Sequence, residues 1–245
     1  MTTPRPLSGK SALVTGGARR VGRGIALALA EAGADVAITY RFSRDEAALT
    51  LQALESLGSQ AIALECDLRS EASVHSAVAA TKNAFGHLDL VVNNAALFQT
   101  AQLESLTIEQ WDEVFETNVR GPFLVAREAL PHLRAVEGRI VNIGSLGGQR
   151  AWAGHAHYCA SKAALHMLTQ AMARAFAPQV SVNCVAPGWI DTGDQPVVEA
   201  LRVAAKTPMQ CNGSVKDVAQ AVLFFATGPH FVTGQILVVD GGLGL

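Results

Sequence analysis

Short apolar runs alternate with longer helical stretches along this 245-residue chain, and that alternation restricts the fold more than any other feature. Ser11-Ala12-Leu13-Val14-Thr15 is apolar and runs into glycines, after which 21–32 carries Ile25, Leu27 and Leu29 among alanines until Gly33 stops it. This pattern predicts a strand, a tight turn and a helix. It returns with Asp35-Val36-Ala37-Ile38-Thr39-Tyr40 before a helix at about 44–57, and with Ala61-Ile62-Ala63-Leu64 before one at about 70–85. Leu88-Asp89-Leu90-Val91-Val92 and Arg139-Ile140-Val141-Asn142-Ile143 are two further strands, with helices at about 107–117 and 121–135 between them. A helix at about 156–176, a strand at 180–185, a helix at about 214–226 and a strand through Gln235-Ile236-Leu237-Val238-Val239 complete the chain.

Strands without polar alternation need cover on both faces, and right-handed crossovers place helices there. The prediction is a doubly wound, Rossmann-like α/β fold, with a seven-stranded parallel sheet in a single domain spanning 1–245. The least regular stretch is 187–213, with Pro187, Gly188, Gly193, Pro196, Pro208 and Gly213. A segment of that length without a strand is read as a substrate loop.

Composition excludes several classes. With 49% hydrophobic residues, 16% charged and a net charge of −2, the chain is neither disordered nor a basic nucleic-acid binder. No apolar run is long enough to span a bilayer, and the start, Met1-Thr2-Thr3-Pro4-Arg5, is a polar tail without a signal-peptide core. A cytoplasmic protein with small-molecule partners is expected. Cys66, Cys159, Cys184 and Cys211 form no CxxC pair and are read as reduced, mostly buried thiols.

Thr15-Gly16-Gly17-Ala18-Arg19-Arg20-Val21-Gly22-Arg23-Gly24 lies where the first strand gives way to the first helix. Glycines permit the turn and close backbone approach, and the helix N-terminus offers free N–H groups to a pyrophosphate. The second strand ends Tyr40-Arg41-Phe42-Ser43-Arg44, where an NAD-preferring site carries an acidic residue for the ribose 2′-hydroxyl. Arg41 instead suits a 2′-phosphate, and Ser43 adds a hydroxyl donor, so NADP(H) is preferred over NAD(H). The alternative is that Arg41 and Arg44 are solvated surface charges.

Tyr158-Cys159-Ala160-Ser161-Lys162 puts a phenol and an ammonium on one helix face. A nearby cation lowers a tyrosine pKa, as a general acid/base near neutral pH requires. Ser145 follows the strand 139–143, at the carboxyl edge where open α/β sheets bind ligands.

These residues resemble the short-chain dehydrogenase/reductase family over nearly the whole chain. The matching pieces are Thr15-Gly16 with Gly22, Asp67-Leu68, Asn93-Asn94-Ala95-Ala96, Asn118, Ser145, Tyr158-x-x-x-Lys162, Pro187-Gly188, and Val232-Thr233-Gly234-Gln235 through Val239-Asp240-Gly241-Gly242. The resemblance implies that Tyr158 exchanges a proton with the substrate oxygen, which Ser145 hydrogen-bonds. It implies that Lys162 binds the nicotinamide ribose and lowers the tyrosine pKa, and that Asn118 holds a water linking Lys162 to solvent. Asp67 and Leu68 would meet the adenine, Asn94, Ala95 and Ala96 would line its ribose, and Pro187 and Gly188 would lie against the nicotinamide. Arg19, Arg20, Val21 and Tyr40 join the cofactor side, and Phe98 and Trp189 join Ser145 and Tyr158 on the substrate side. Bland alternatives are a helix-surface Asn118, a turn residue at Ser145, an N-cap at Asp67 and a strand-bonding Asn94. The seven histidines form no metal-like cluster and are read as surface or pocket-rim residues.

Two departures bear on the substrate. The commonest family loop has glycine where Arg20 stands, and the Thr-Gly-x-x-x-Arg-x-Gly form is similar to the pteridine reductase branch, which also has a pterin-stacking phenylalanine where Phe98 lies. That branch characteristically has aspartate where this chain has Ser145, which better suits carbonyl reduction. A 3-oxoacyl thioester reductase stays open beside the pterin reading, as does a non-catalytic NADP-sensing protein. The resemblance also implies a homotetramer, pairing helices 107–135 and 156–176 and packing the last strand and helix across a second interface.

Overall fold

The structure is a computed structural model and describes residues 5–245; residues 1–4 of the polar start lie outside the described residues. Strands Ser11–Val14 (β1), Asp35–Tyr40 (β2), Ala61–Glu65 (β3), Leu90–Asn93 (β4), Arg139–Ile143 (β5) and Ser181–Pro187 (β6) belong to one sheet. A short pair, Ile190–Asp191 (β7) and Gly213–Ser214 (β8), stands apart, and Ile236–Val239 (β9) completes the main sheet. Its order is β3-β2-β1-β4-β5-β6-β9, with all seven strands parallel. Because the order reverses between β1 and β4, their carboxyl ends open a crevice where such sheets bind ligands.

The strand sequences explain the layering. Every residue of β1, β4 and β6 is buried, so these strands read as mostly apolar runs, with Ser11, Asn93, Ser181 and Asn183 as the buried polar exceptions. Neighbouring side chains point to opposite faces. Val14, Val36 and Ile38 meet Ile25 and Leu29 of Arg20–Glu31 (α1), along with Val222 and Phe225 of Val215–Thr227 (α8). Leu13, Val91, Ile140 and Val182 meet Val78 of Glu71–Phe85 (α3), Leu133 of Gly121–Arg134 (α5) and Met172 of Ala156–Phe176 (α6). Arg44–Ser56 (α2) adds Leu54 to the first layer.

Sequence periodicity separates the helices at 107–117 and 121–135, whereas Ile108–Phe115 (α4) runs on into α5 through a π-helical turn, Glu116–Arg120. Pro122 lacks an N–H and so cannot complete the ordinary i→i−4 pattern; the wider turn absorbs that loss. Thr107 and Gln110 close a capping box at the start of α4.

The expectation of a segment without a strand over 187–213 is corrected. It contains β7, the first residue of β8 and a ten-residue helix, Val197–Lys206 (α7). Prolines and glycines sit at the ends of this helix and mask it; Pro196 is its N-cap. No residue of α7 is buried, and Val197, Val198 and Leu201 are exposed. The expectation of mostly buried thiols holds for Cys66 and Cys184, while Cys159 is half-buried and Cys211 exposed. Among the described residues no helix is long and apolar enough to cross a membrane.

Candidate active site

The turn after β1 is built around two glycines. Gly16 has a φ of 64°, and a Cβ there would lie 2.9 Å from Ala95. A Cβ on Gly22 would lie 2.2 Å from the Gly16 carbonyl oxygen and 2.4 Å from Asn94 Nδ2. Asn94 Nδ2 donates to the Thr15 and Gly16 carbonyls at 2.9 and 3.1 Å, and Thr15 Oγ1 accepts from the Asn94 and Ala95 N–H groups at 3.0 and 3.1 Å. The strand-bonding role of Asn94 is therefore present. No side chain caps α1 and its first turn holds no acid, so its first N–H groups and positive dipole end are available to an anion. Arg20 adopts a left-handed φ of 50°, a region that costs a side chain about 1 kcal/mol. Its guanidinium pairs with Asp194, tying the glycine turn to the segment before α7. Arg19 pairs with Glu46 at 3.8 Å on the exposed surface, and Val21 and Tyr40 pack against the core.

Arg41 lies neither free in solvent nor alone. Its Nε is 3.4 Å from Asp67 Oδ2, its Nη1 is 4.0 Å from Glu113 Oε1, and it stacks over Phe42. Arg69 closes the cluster at 2.8 Å from Asp67 and 3.3 Å from Glu113. Hydrogen bonding to Arg69, reinforced by the positive charge of Arg41, holds the Asp67 carboxyl down at about 2. The N-cap of α3 is Ser70, not Asp67. Ser43 occupies the N-cap position of α2 without spending its hydroxyl there, whereas Arg44 turns to Glu65 at 3.1 Å. Leu68 is buried.

At the other end of the crevice, Ser145 starts a 3₁₀ turn, Leu146–Gly148, and its Oγ accepts from the Gly147 N–H at 3.1 Å. Tyr158, in the first turn of α6, faces the Ser145 hydroxyl. Burial pushes the phenol pKa up, and Ser145 draws it part of the way back. Lys162 was expected to lower it. Instead Lys162 lies 5.7 Å from the Tyr158 ring centroid, and its Nζ donates to the Ile143 carbonyl at 2.8 Å. Burial in turn holds the ammonium down at about 8.

Asn118 is fully buried on the π turn, which removes the helix-surface alternative. Its Oδ1 accepts from the Leu97 N–H at 2.7 Å, and its Nδ2 donates to the Leu97 carbonyl and Ser161 Oγ, both at 3.0 Å. It thus binds the chain after β4 to α6. Pro187 ends β6, and Gly188 donates its N–H to the Val239 carbonyl at 2.9 Å. The Trp189 indole N–H is buried without a protein partner.

Phe98, 57% exposed, stacks on His155 at 4.5 Å and meets Tyr158 edge-on at 4.8 Å. Trp152 lies parallel to Tyr158 at 6.1 Å, completing an aromatic wall of which Phe98 alone is expected from the sequence. His155 and His157 precede Tyr158, and reading every histidine as a rim residue fails at His157 and His166, both buried. His166 lies one turn beyond Lys162 on the same face of α6, a spacing that would have revealed it.

Comparison with known proteins now adds the family. A family model described as Enoyl-(Acyl carrier protein) reductase matches residues 16–244. The short-chain dehydrogenase/reductase FrzI of Cladobotryum sp. is 36% identical over 99% of each chain. The 3-oxoacyl-acyl-carrier-protein reductase FabG of Staphylococcus aureus is 35% identical over 96% of this chain and 98% of that protein. Among solved structures, a short-chain dehydrogenase/reductase from Serratia marcescens superposes with a TM-score of 0.93 at 36% identity, covering 98% of this chain and all of that one. A blue fluorescent protein from a metagenomic library, solved in complex with NADPH, gives a TM-score of 0.90 at 36% identity over 98% of this chain and 100% of that chain. Matched across nearly its full length in both sequence and fold, the chain belongs to the short-chain dehydrogenase/reductase family of oxidoreductases.

Proposed function

We propose that the chain is an NADP(H)-preferring reductase that exchanges hydride between nicotinamide and a carbonyl or alcohol substrate, with Tyr158 as general acid/base. The observation that carries this reading is the Tyr158 phenol facing the Ser145 hydroxyl, with buried Lys162 one helical turn away. Burial keeps the phenol protonated at neutral pH, the form needed to give a proton to a carbonyl oxygen. Ser145 Oγ hydrogen-bonds that oxygen as negative charge develops on it. Lys162 contributes positive charge behind the phenol, and Asn118 fixes the α6 turn that carries Ser161.

The residues present fit a dinucleotide. A side chain at Gly16 or Gly22 would fill the turn, and the uncapped start of α1 suits a pyrophosphate. Arg41 and Ser43 would hold the 2′-phosphate, Asp67, Leu68 and Asn94 through Ala96 the adenosine, and Lys162, Pro187 and Gly188 the nicotinamide end. When bound, the nicotinamide supplies or accepts the hydride at its C4.

Two narrower substrates have support. The FabG relative favours a 3-oxoacyl thioester. The exposed Phe98 beside Tyr158 and Arg20 in the glycine turn favour a flat pterin, though Ser145 lacks the acidic group that reading wants. The test is NADPH and NADH consumption with an acetoacetyl thioester, dihydrobiopterin and simple diketones, using Tyr158→Phe as the blank. Turnover with NADPH that vanishes in Tyr158→Phe is the expected result. Undiminished turnover in that variant would overturn the assignment.

A further inference from the structure

We propose that His166 is a positioning residue for Ser145: its imidazole is wedged between Gly144 and Gly148 and takes the Ser145 main-chain N–H, which fixes the hydroxyl opposite Tyr158. This inference rests on the reading of Ser145 and Tyr158 above. His166 is 8% exposed, and its Nε2 accepts from the Ser145 N–H at 3.5 Å. The ring occupies space that only glycine leaves open. A Cβ on Gly144 would lie 2.3 Å from His166 Nε2, and one on Gly148 would lie 2.6 Å from Cε1 and 2.9 Å from Nδ1. Both glycines flank the serine turn, so the ring touches that turn on either side of Ser145. The bond requires a neutral imidazole with its hydrogen on Nδ1, because a protonated ring has no acceptor. Burial and the neighbouring Lys162 charge both keep His166 neutral, holding its pKa down to about 4, and the Ser145 N–H selects the tautomer that leaves Nε2 free to accept. Ser145 is itself 4% exposed, so loss of the acceptor leaves a buried N–H without a protein partner. The serine turn can then relax away from the phenol. Residues Tyr158, Lys162 and His166 thus share one face of α6, and the third acts through the turn opposite it.

The experiment compares His166→Gln, which can offer an oxygen near the Nε2 position, with His166→Met, of similar length and without a strong acceptor. Full-length protein is used, with folding followed by thermal melting, NADPH affinity by nucleotide fluorescence, and kcat and KM on the best substrate found above. For His166→Met, kcat should fall about three- to tenfold, the worth of one buried hydrogen bond, with NADPH affinity and KM little changed. His166→Gln should recover most of that loss, which simple packing would not require. In a Ser145→Ala background, His166→Met should lower kcat no further, because it acts through Ser145. Where His166→Met does not fold, His166→Asn takes its place, since its shorter amide cannot reach the Nε2 position. Equal kcat in all His166 variants, equal losses in Gln and Met, or full additivity with Ser145→Ala would each overturn the proposal. Retained turnover in Tyr158→Phe would instead overturn the reading of the site beneath it.

Discussion

Replacing His166 by glutamine should make the protein less sensitive to acid. In the fold the imidazole is held down to about 4 from 6.5, first by burial and then by Lys162. The unfolded chain therefore binds a proton between these values that the folded chain does not, so stability falls as pH falls through that window. Integrating the two titrations gives a loss of about 2 kcal/mol by pH 5 and about 3 kcal/mol by pH 4, relative to neutral pH. Carboxylates such as Asp67 contribute their own acid loss, but it is shared by wild type and variant. Urea unfolding at fixed protein concentration isolates the difference, in steps from pH 7 to 4.5. His166→Gln should begin below wild type in stability at pH 7, and the gap should narrow by about 2 kcal/mol by pH 5. Parallel stability curves would refute the reasoning, because they would mean that His166 titrates alike in both states.

Gly22→Ala should raise the NADPH dissociation constant at least about tenfold, since its Cβ would meet the Gly16 carbonyl at 2.2 Å and neither backbone can yield cheaply; fluorescence titration checks it. Arg41→Ala should weaken NADPH by about ten- to a hundredfold and NADH by far less, the measure of charge-assisted bonds to a 2′-phosphate. Equal losses for both nucleotides would assign Arg41 to the Asp67–Arg69–Glu113 cluster alone. Asn118→Ala deprives the half-buried Leu97 N–H of its acceptor and removes the buried bond to Ser161, so unfolding should need about 1–3 kcal/mol less at neutral pH, read from the urea midpoint.

The sheet was legible because buried parallel strands are largely apolar on both faces, so β1 and β4 stand out as short runs broken only at their ends by Ser11 and Asn93, and β6 by its Val and Cys around Asn183. Tyr158, Ser145 and Lys162 were legible because each is fixed by local spacing relative to a strand end or a helix turn. The Arg41 cluster was not, since Glu113 comes from α4 and no spacing in the chain reports which side chains a distant helix delivers. Arg41 and Asp67 were assigned to separate tasks, yet they form one charge network with Arg69. The upward push of burial on Tyr158 is hidden from the sequence for a related reason. Sequence spacing supplies the nearby cation but not the burial that outweighs it, nor the Ile143 carbonyl that engages Lys162. Helix α7 was hidden by proline and glycine at its margins, and by an exposed face that gives no core to infer.

The π-helical turn at Glu116–Arg120 sets the angular phase between α4 and α5. Each residue in an α-helix advances the side-chain direction by about 100°, and an i→i+5 turn accommodates one residue more than an i→i+4 turn. Deleting one residue there would rejoin the helices as a straight rod, yet it would swing everything beyond by about that angle relative to α4. The face of α5 that packs on the sheet, with Leu124, Val125 and Leu133, would then be out of step with the segment that carries Asn118. The irregular turn therefore acts as a gear offset, letting a single continuous rod serve the hydrophobic core at one end and, through Asn118, join the chain after β4 to α6 in its middle.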